Sequence, residues 1–487
     1  MPKKYHLTPK PTPARFATLA PFGIIEGDGC LGCPNCVKKQ CVYSVYEKRG
    51  FDSRQMFDTA DSLCKNCFRC LQGCYGRILA KSKNPEFWSM GDEYWTPEII
   101  ALNQSQAESG KIPVSGGGYG GPFSGDGFDS LWTDMSEIVR PTRDGIHGRE
   151  YISTLVELGR TLPQVIPRST SPRVKTGESP FPKRVETSIP IIFDLMTIDE
   201  PPAHVRWAWA QAAGETNTLL IMKAEHVTEA LGPLASHLVP FLPLGSLENF
   251  TPFIKRVAMV QVAFTAGILE RIQEIKKINP QVTVSIRIPL TPRGEEEAVT
   301  LAHAGAEVLH LLADEKGREQ KSPSPRFIKD LIRSVHLRLV HEKQRDRLSL
   351  IFGGGIAMAE HVAKAILCGA DAVSIDRPLL FALECRLCRR CLRGKRCPVE
   401  IEKIDPDWGR QRLVNLIAAW HAQLLEVLGA MGLRDVRRLR GEVGRAIFKE
   451  DIEKETFGQI FGPAAEKSNS SAEKSSGPEG SKYGLAS

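Results

Sequence analysis

The sequence predicts an α/β protein: a closed (β/α)8 barrel of the TIM type, with a ferredoxin-like iron-sulfur module on its N-terminal side and a further cysteine loop plus helices after it. Three observations predict this. Eight of the thirteen cysteines lie between Cys30 and Cys74 in two triplet motifs. From about residue 187, apolar runs alternate with helix-like stretches, the rhythm of a parallel sheet covered by helices. A Gly353-Gly354-Gly355 turn then ends the next-to-last run, where barrels commonly hold phosphate. The expected division is a tail (1–27), the iron-sulfur module (28–80), an irregular linker (81–186), the barrel (187–383), the cysteine loop (384–404), C-terminal helices (405–460) and a disordered tail (461–487).

Composition narrows the function classes. The 487 residues are 42% hydrophobic and 25% charged, ordinary globular material for two or three domains. A formal net charge of +7, from 64 basic and 57 acidic residues, contains no long basic block, so no nucleic-acid partner is expected. No run of 18 uncharged apolar residues occurs and Met1-Pro2-Lys3-Lys4 lacks a signal-type apolar stretch, which predicts a cytoplasmic chain without a membrane span. Between Leu413 and Leu433, Leu413, Leu416, Ile417, Trp420, Leu424 and Leu428 recur at helical spacing, which predicts a packed amphipathic helix.

The cysteines carry the sharpest signal. Cys30, Cys33, Cys36 and Cys41 form one C-x2-C-x2-C group with a fourth member, and Cys64, Cys67, Cys70 and Cys74 form another. Three thiolates at intervals of three let one tight loop cover three corners of a cubane, while the fourth can reach the other cluster, as in two-cluster ferredoxins. Two 4Fe-4S centres are expected. Zinc would prefer separated C-x2-C pairs giving two ligands each. Neither fourth cysteine precedes proline, and the first spacer is one residue longer than the bacterial ferredoxin form. The third group, Cys385, Cys388, Cys391 and Cys397, offers four ligands for one more cluster, with Pro398 behind the last. Seven basic residues against three acidic ones from Glu384 to Lys403 give this loop a surplus of +4, which favours the reduced, more negative form of an adjacent cluster. A basic loop for a phosphate or a partner would explain the arginines but not the cysteines. Cys368, inside an apolar run, reads as a small buried hydrophobe.

Residues 81 to 185 are rich in Gly, Pro, Ser and aromatics, including the glycine-rich stretches 113–122 and 123–130. These fall outside the strand-to-helix setting of a phosphate loop and read as packed linker. The barrel strands are expected at 189–193, 218–222, 237–241, 282–286, 306–312, 348–352 and 371–375, with 257–262 as the candidate eighth. An open doubly wound sheet fits the same rhythm. The Gly353–Gly355 turn opening a helix, followed by a strand ending in Asp376-Arg377, decides for the barrel and makes these five residues the candidate phosphate site.

The Gly-Gly-Gly turn, the strand Gly369-Ala-Asp-Ala-Val373, and Ala382-Leu-Glu-Cys385 leading to Cys391 and Cys397-Pro-Val399 resemble the FMN-binding, iron-sulfur domain of glutamate synthase large subunits. With the N-terminal cysteine motifs, residues 28 to about 445 are more similar still to the stand-alone archaeal-type glutamate synthases. The resemblance implies FMN in the barrel and electron transfer from 4Fe-4S centres to it. It implies reduction of an imine or related small substrate, with glutamate formation from 2-oxoglutarate and ammonia as the family's case. It also implies a redox partner, either a ferredoxin or an NAD(P)H-oxidising flavoprotein subunit. No glutaminase segment is recognised, so the nitrogen source is expected to be ammonia or another chain. The family's third centre is a 3Fe-4S cluster, which here would use Cys385, Cys391 and Cys397; Cys388 adds the ligand for a 4Fe-4S centre. Where the family places a strand lysine, this chain has Arg287, which can clamp a carboxylate and cannot form an imine. The charged run 313–319 replaces a Gly-Gly-Thr-Gly segment, and no Lys-Pro-Gly loop follows Lys223. Arg287 and Lys223 are the candidate catalytic residues, with Glu225 and His226 beside Lys223 on the same strand end. The competing expectation is an electron-transfer or scaffold subunit of a larger redox complex whose barrel no longer makes glutamate.

Overall fold

The computed structural model describes residues 5–16, 18–47, 59–112, 127–133, 152–161, 184–198, 201–440 and 443–461. The glycine-rich stretch 113–126 and the tail from residue 462 lie outside them. Eight parallel strands close on themselves in chain order. They are β1 (Ile191–Asp194), β2 (Leu220–Lys223), β3 (Leu238–Leu242), β4 (Met259–Ala263), β5 (Thr283–Pro289), β6 (Val308–Leu312), β7 (Ser349–Gly353) and β8 (Ala372–Ile375). The (β/α)8 barrel is thus borne out, and the apolar run at 257–262 supplies its fourth strand. β8 pairs with β1, Ile375 opposite Phe193, which closes the ring. The strands read as unbroken apolar runs because parallel strands covered by helices are buried on both faces.

The bottom of the barrel is dry. Ile192, Ile221, Val239, Met259, Val308, Ile351 and Ala372 form one cluster with Leu158 and Val185. The last two come from an antiparallel pair, Val156–Leu158 with Val185–Thr187. This pair plugs the N-terminal end of the barrel, where the Gly159 amide donates to Ser349 Oγ at the start of β7 (3.0 Å). Apolar side chains fill that end, so polar chemistry is confined to the C-terminal mouth.

The expected irregular linker contains regular structure. Helix α1 (Pro97–Ser109) starts at Thr96, whose side chain accepts from the Ile99 amide, and stops at Gly110 with φ +67. Proline at the first helical position and a left-handed glycine at the end are helix signals that the overall Gly and Pro content of the segment masked. Helix α2 (Ala203–Glu215) follows β1, α3 (Ala359–Cys368) follows β7, and α4 (Arg377–Ala382) follows β8. Helix α5 (Pro406–Ala430) is the amphipathic helix expected from its spacing, and it buries Leu413, Leu416, Ile417, Trp420, Leu424 and Leu428. By length and composition it is long and apolar enough to cross a membrane, yet its face is covered by the protein. Within it, the buried Arg412 donates to three carbonyls, of Ala382, Thr12 and Gln104, at 2.6, 3.1 and 3.1 Å. One guanidinium thereby ties the N-terminal arm and α1 to the end of the barrel. Cys368 is buried as expected, and burial pushes its thiol up to about 12.

Around the N-terminal cysteines, Phe22–Glu26 pairs antiparallel with Leu79–Lys83 and brackets the segment that holds all eight. Val45, Tyr46, Cys70 and Leu79 form a small separate core there, against which Cys36, Cys41, Cys64 and Cys74 pack.

Candidate active site

At the C-terminal mouth, strand ends deliver polar side chains to one cavity of about 350 Å³, whose lining includes Asp194, Phe264, Arg287, Gln320, Gly354 and Asp376. Arg287, from β5, donates Nη1 to Asp194 Oδ2 (2.9 Å) and to Gln261 Oε1 (3.1 Å). Because that oxygen is committed, the Gln261 amide nitrogen faces Ser285 Oγ (3.2 Å) and His310 Nδ1 (2.9 Å). His310 Nδ1 is then an acceptor, and its Nε2–H donates to Ser374 Oγ at 2.8 Å. Burial, and secondarily the Arg287 charge, lower the His310 pKa to about 3, so the ring is neutral. Asp194, Gln261, His310 and Ser374 come from four different strands and had not been singled out in the sequence. A buried polar residue inside an apolar strand was the one available signal.

The glycine turn lies beside this mouth. Gly354 and Gly355 have φ of +95 and +70. A methyl group on Gly354 would lie 2.5 Å from the Asp314 carbonyl oxygen, so glycine is required for that close approach. Among the described residues, the amides of Gly354, Gly355 and Ile356 donate to no acceptor, although Gly355 and Ile356 are buried. Arg377, the first residue of α4, donates Nη2 to Glu315 Oε2 (2.8 Å), while its buried Nε has no partner. Asp376 accepts from Thr197 Oγ1 (2.8 Å) and the Arg377 amide (2.6 Å), and burial raises its carboxyl pKa. Three adjacent amides and a guanidinium N–H without acceptors make a donor set suited to a phosphate dianion. Glu315 also accepts from Arg389 of the cysteine loop (3.2 Å), linking the barrel mouth to that loop.

Cys30, Cys33 and Cys36 are close enough for the first two to act on the Cys36 thiol, and Cys388, Cys391 and Cys397 act likewise on Cys385. Cys64, Cys67 and Cys70 share a small cavity with Cys41, the fourth cysteine of the other motif. Lys81 Nζ stands 3.0 Å from Cys64 Sγ. No group of three or more His, Cys, Asp or Glu among the described residues is close enough to hold a single metal ion. Lys223, at the end of β2, and the neighbouring Glu225 and His226 are not in the lining of the mouth cavity, whereas Arg287 is.

Residues 261–434 match the conserved region in glutamate synthase. The archaeal-type glutamate synthase (NADPH) of Dehalococcoides mccartyi is 23% identical over 476 residues, covering 85% of this chain and 92% of that one. The archaeal glutamate synthase (NADPH) of Archaeoglobus fulgidus is 23% identical over 496 residues, covering 88% and 95%. Among solved structures, the flavin-binding domain of baker's yeast flavocytochrome b2 is 14% identical with a TM-score of 0.38, covering 53% of this chain and 70% of that one. The relatives and the barrel together define an oxidoreductase built on a (β/α)8 barrel. The chain carries the conserved region of glutamate synthase and is similar to archaeal-type glutamate synthases along most of its length.

Proposed function

We propose that the protein is an iron-sulfur flavoprotein that takes electrons from a redox partner, a ferredoxin or an NAD(P)H-oxidising flavoprotein subunit, and uses them to reduce an imine or a related small substrate. FMN in the barrel would supply the hydride-transfer chemistry, fed by 4Fe-4S centres. The observation that carries this reading is the unsatisfied donor set at the ends of β7 and β8. Buried N–H groups without acceptors are costly in a folded protein, and a phosphate at the Gly353–Gly355 turn, held by the amides of Gly354, Gly355 and Ile356 and by Arg377 beside Asp376, would satisfy them. Phe264, Leu312 and Ala313 give the adjoining cavity apolar walls that suit a flat ring system. Arg287, anchored by Asp194 and Gln261, would fix a positive charge at the mouth.

For the clusters, the first ligand set would be Cys30, Cys33, Cys36 and Cys74, and the second Cys64, Cys67, Cys70 and Cys41. The cavity shared by Cys41 with the second triplet supports this exchange of fourth ligands. Cys385, Cys388, Cys391 and Cys397 would hold the third centre.

The test is flavin, iron and sulfide analysis on anaerobically purified protein, followed by FMN and riboflavin titrations of Arg377→Ala. Removing one charge-assisted donor should weaken FMN about tenfold or more and leave riboflavin unchanged. Equal effects on both would reject the phosphate placement, and zinc without iron would reject the clusters.

A further inference from the structure

Lys81 stands in the middle of the strand Leu79–Lys83, opposite Ile24 in the antiparallel pair that brackets the N-terminal cysteines. Its partners all lie in one cysteine loop. Nζ donates to Cys64 Sγ (3.0 Å) and to Asn66 Oδ1 (3.3 Å), and it stands 4.6 Å from the centre of the Phe68 ring. Asn66 and Phe68 have φ of +57 and +59, a conformation that such residues keep only where their surroundings hold them. Among the described residues no carboxylate pairs with Lys81, so the anionic group it faces is the Cys64 sulfur, a thiolate once it ligates iron. Lys81 also lines the small cavity that Cys41, Cys64, Cys67 and Cys70 share.

The two cysteine motifs differ in setting. The second packs on the apolar core of Val45, Tyr46 and Leu79 with Cys70 buried, whereas Cys30 of the first is exposed. A dry setting disfavours the extra negative charge of a reduced cluster, so burial alone would make the second centre the harder to reduce. Yet the second is the inner one: Cys64, Lys65 and Asn66 share a cleft with Glu384 and Arg386 of the third cysteine loop. An ammonium on Cys64 acts against burial, because it stabilises the more negative, reduced form. The other cations within the two motifs, Lys38, Lys39, Lys65 and Arg69, are exposed, where water and salt screen them, while Lys81 is half-buried. We infer that Lys81 sets the redox order of this module: its ammonium, held on Cys64, raises the potential of the second cluster above that of the first and so directs electrons inward. The step is a one-electron transfer in which the first cluster is oxidised and the second reduced, with the proposed redox partner as the source of the electron. No proton moves and no bond forms or breaks. The inference rests on the two clusters of the proposed function, with Cys64 a ligand of the second.

The test is potentiometry followed by EPR on the full-length protein, purified anaerobically. The signal that Cys70→Ser alters identifies the second centre, and the signal that Cys33→Ser alters identifies the first. In the unsubstituted protein the second centre should be reduced at the higher potential. Lys81→Met, a side chain of similar length without the charge, should disfavour reduction of the second centre about tenfold, or about 59 mV for one electron, as expected for one charge-assisted hydrogen bond. The first and third centres should not move, and iron and sulfide content should stay the same. Lys81→Arg keeps the charge and should stay close to the unsubstituted potential, which a merely structural lysine would not require. A first centre reduced at the higher potential in the unsubstituted protein would overturn the inference, and this measurement decides it even where Lys81→Met fails to assemble the centre. An assembled Lys81→Met protein whose second centre keeps its potential would overturn it equally. Protein without iron would overturn the proposed clusters and the inference with them, whereas clusters present with unmoved potentials overturn the inference alone.

Discussion

Replacing Gly354 by alanine tests both the packing of the glycine turn and its proposed role. The added methyl would sit 2.5 Å from the Asp314 carbonyl oxygen, 2.7 Å from that of Ala313 and 2.9 Å from the Ala313 carbonyl carbon, all backbone atoms that cannot rotate away. The residue would also keep a φ of +95, where a Cβ is disfavoured. Backbone strain of roughly 1–2 kcal/mol adds to an overpacking cost of about 1–3 kcal/mol, for a total of about 2–5 kcal/mol. Gly394 is the internal control: its φ is +65, and a methyl there meets nothing within 4 Å. Gly394→Ala should therefore cost only about 1 kcal/mol. In a domain of about 200 residues each kcal/mol moves Tm by roughly 2–4 °C, so the two variants should separate by several degrees in thermal unfolding followed by circular dichroism. Flavin content should fall in the Gly354 variant alone, because a shifted turn moves the three free amides. Equal Tm values for the two variants would refute the close approach of the β6 and β7 loops.

Arg287→Ala leaves the Asp194 carboxylate buried without its partner and should cost about 3 kcal/mol in urea unfolding; an Asp194→Leu/Arg287→Met pair should recover most of it, and a loss unchanged in the pair would contradict this. Burial lowers the pKa of both His310 and His361 to about 3, against about 6.5 in an unfolded chain. Between those values the unfolded chain binds more protons, so this stability is complete above about pH 6.5 and is lost as pH falls toward 3, by up to about 1.4 kcal/mol per unit for each ring. The urea midpoint should accordingly drop from pH 7 to pH 5, and His361→Gln should flatten the slope by about one proton. Cys41→Ser should change the same paramagnetic signal as Cys70→Ser and leave that altered by Cys33→Ser intact. Cys388→Ser should convert or abolish the third centre; an unaltered signal and iron content would mean that three ligands serve there.

The sequence by itself determined the features whose information is local. The triplets Cys30–Cys36 and Cys64–Cys70 are spaced to occupy single loops, and the apolar runs fall on all eight strands because each strand is buried on both faces. The helix over residues 97–109 was equally local, in Thr96, Pro97 and Gly110, but composition averaged over a hundred residues hid it. Only the tertiary structure decided which groups meet. Asp194 and Arg287 are far apart in sequence, as are Gln261, His310 and Ser374, and each is one polar residue in an apolar strand with no period to mark its direction. Closure of the barrel brings them together, since strand ends distant in sequence share one small ring. The same holds for Glu315, which spans Arg377 and Arg389. Local chemistry fixes which side chains are available, and long-range packing fixes their partners, because a charge in a dry interior is tolerated only where the fold supplies its counter-charge.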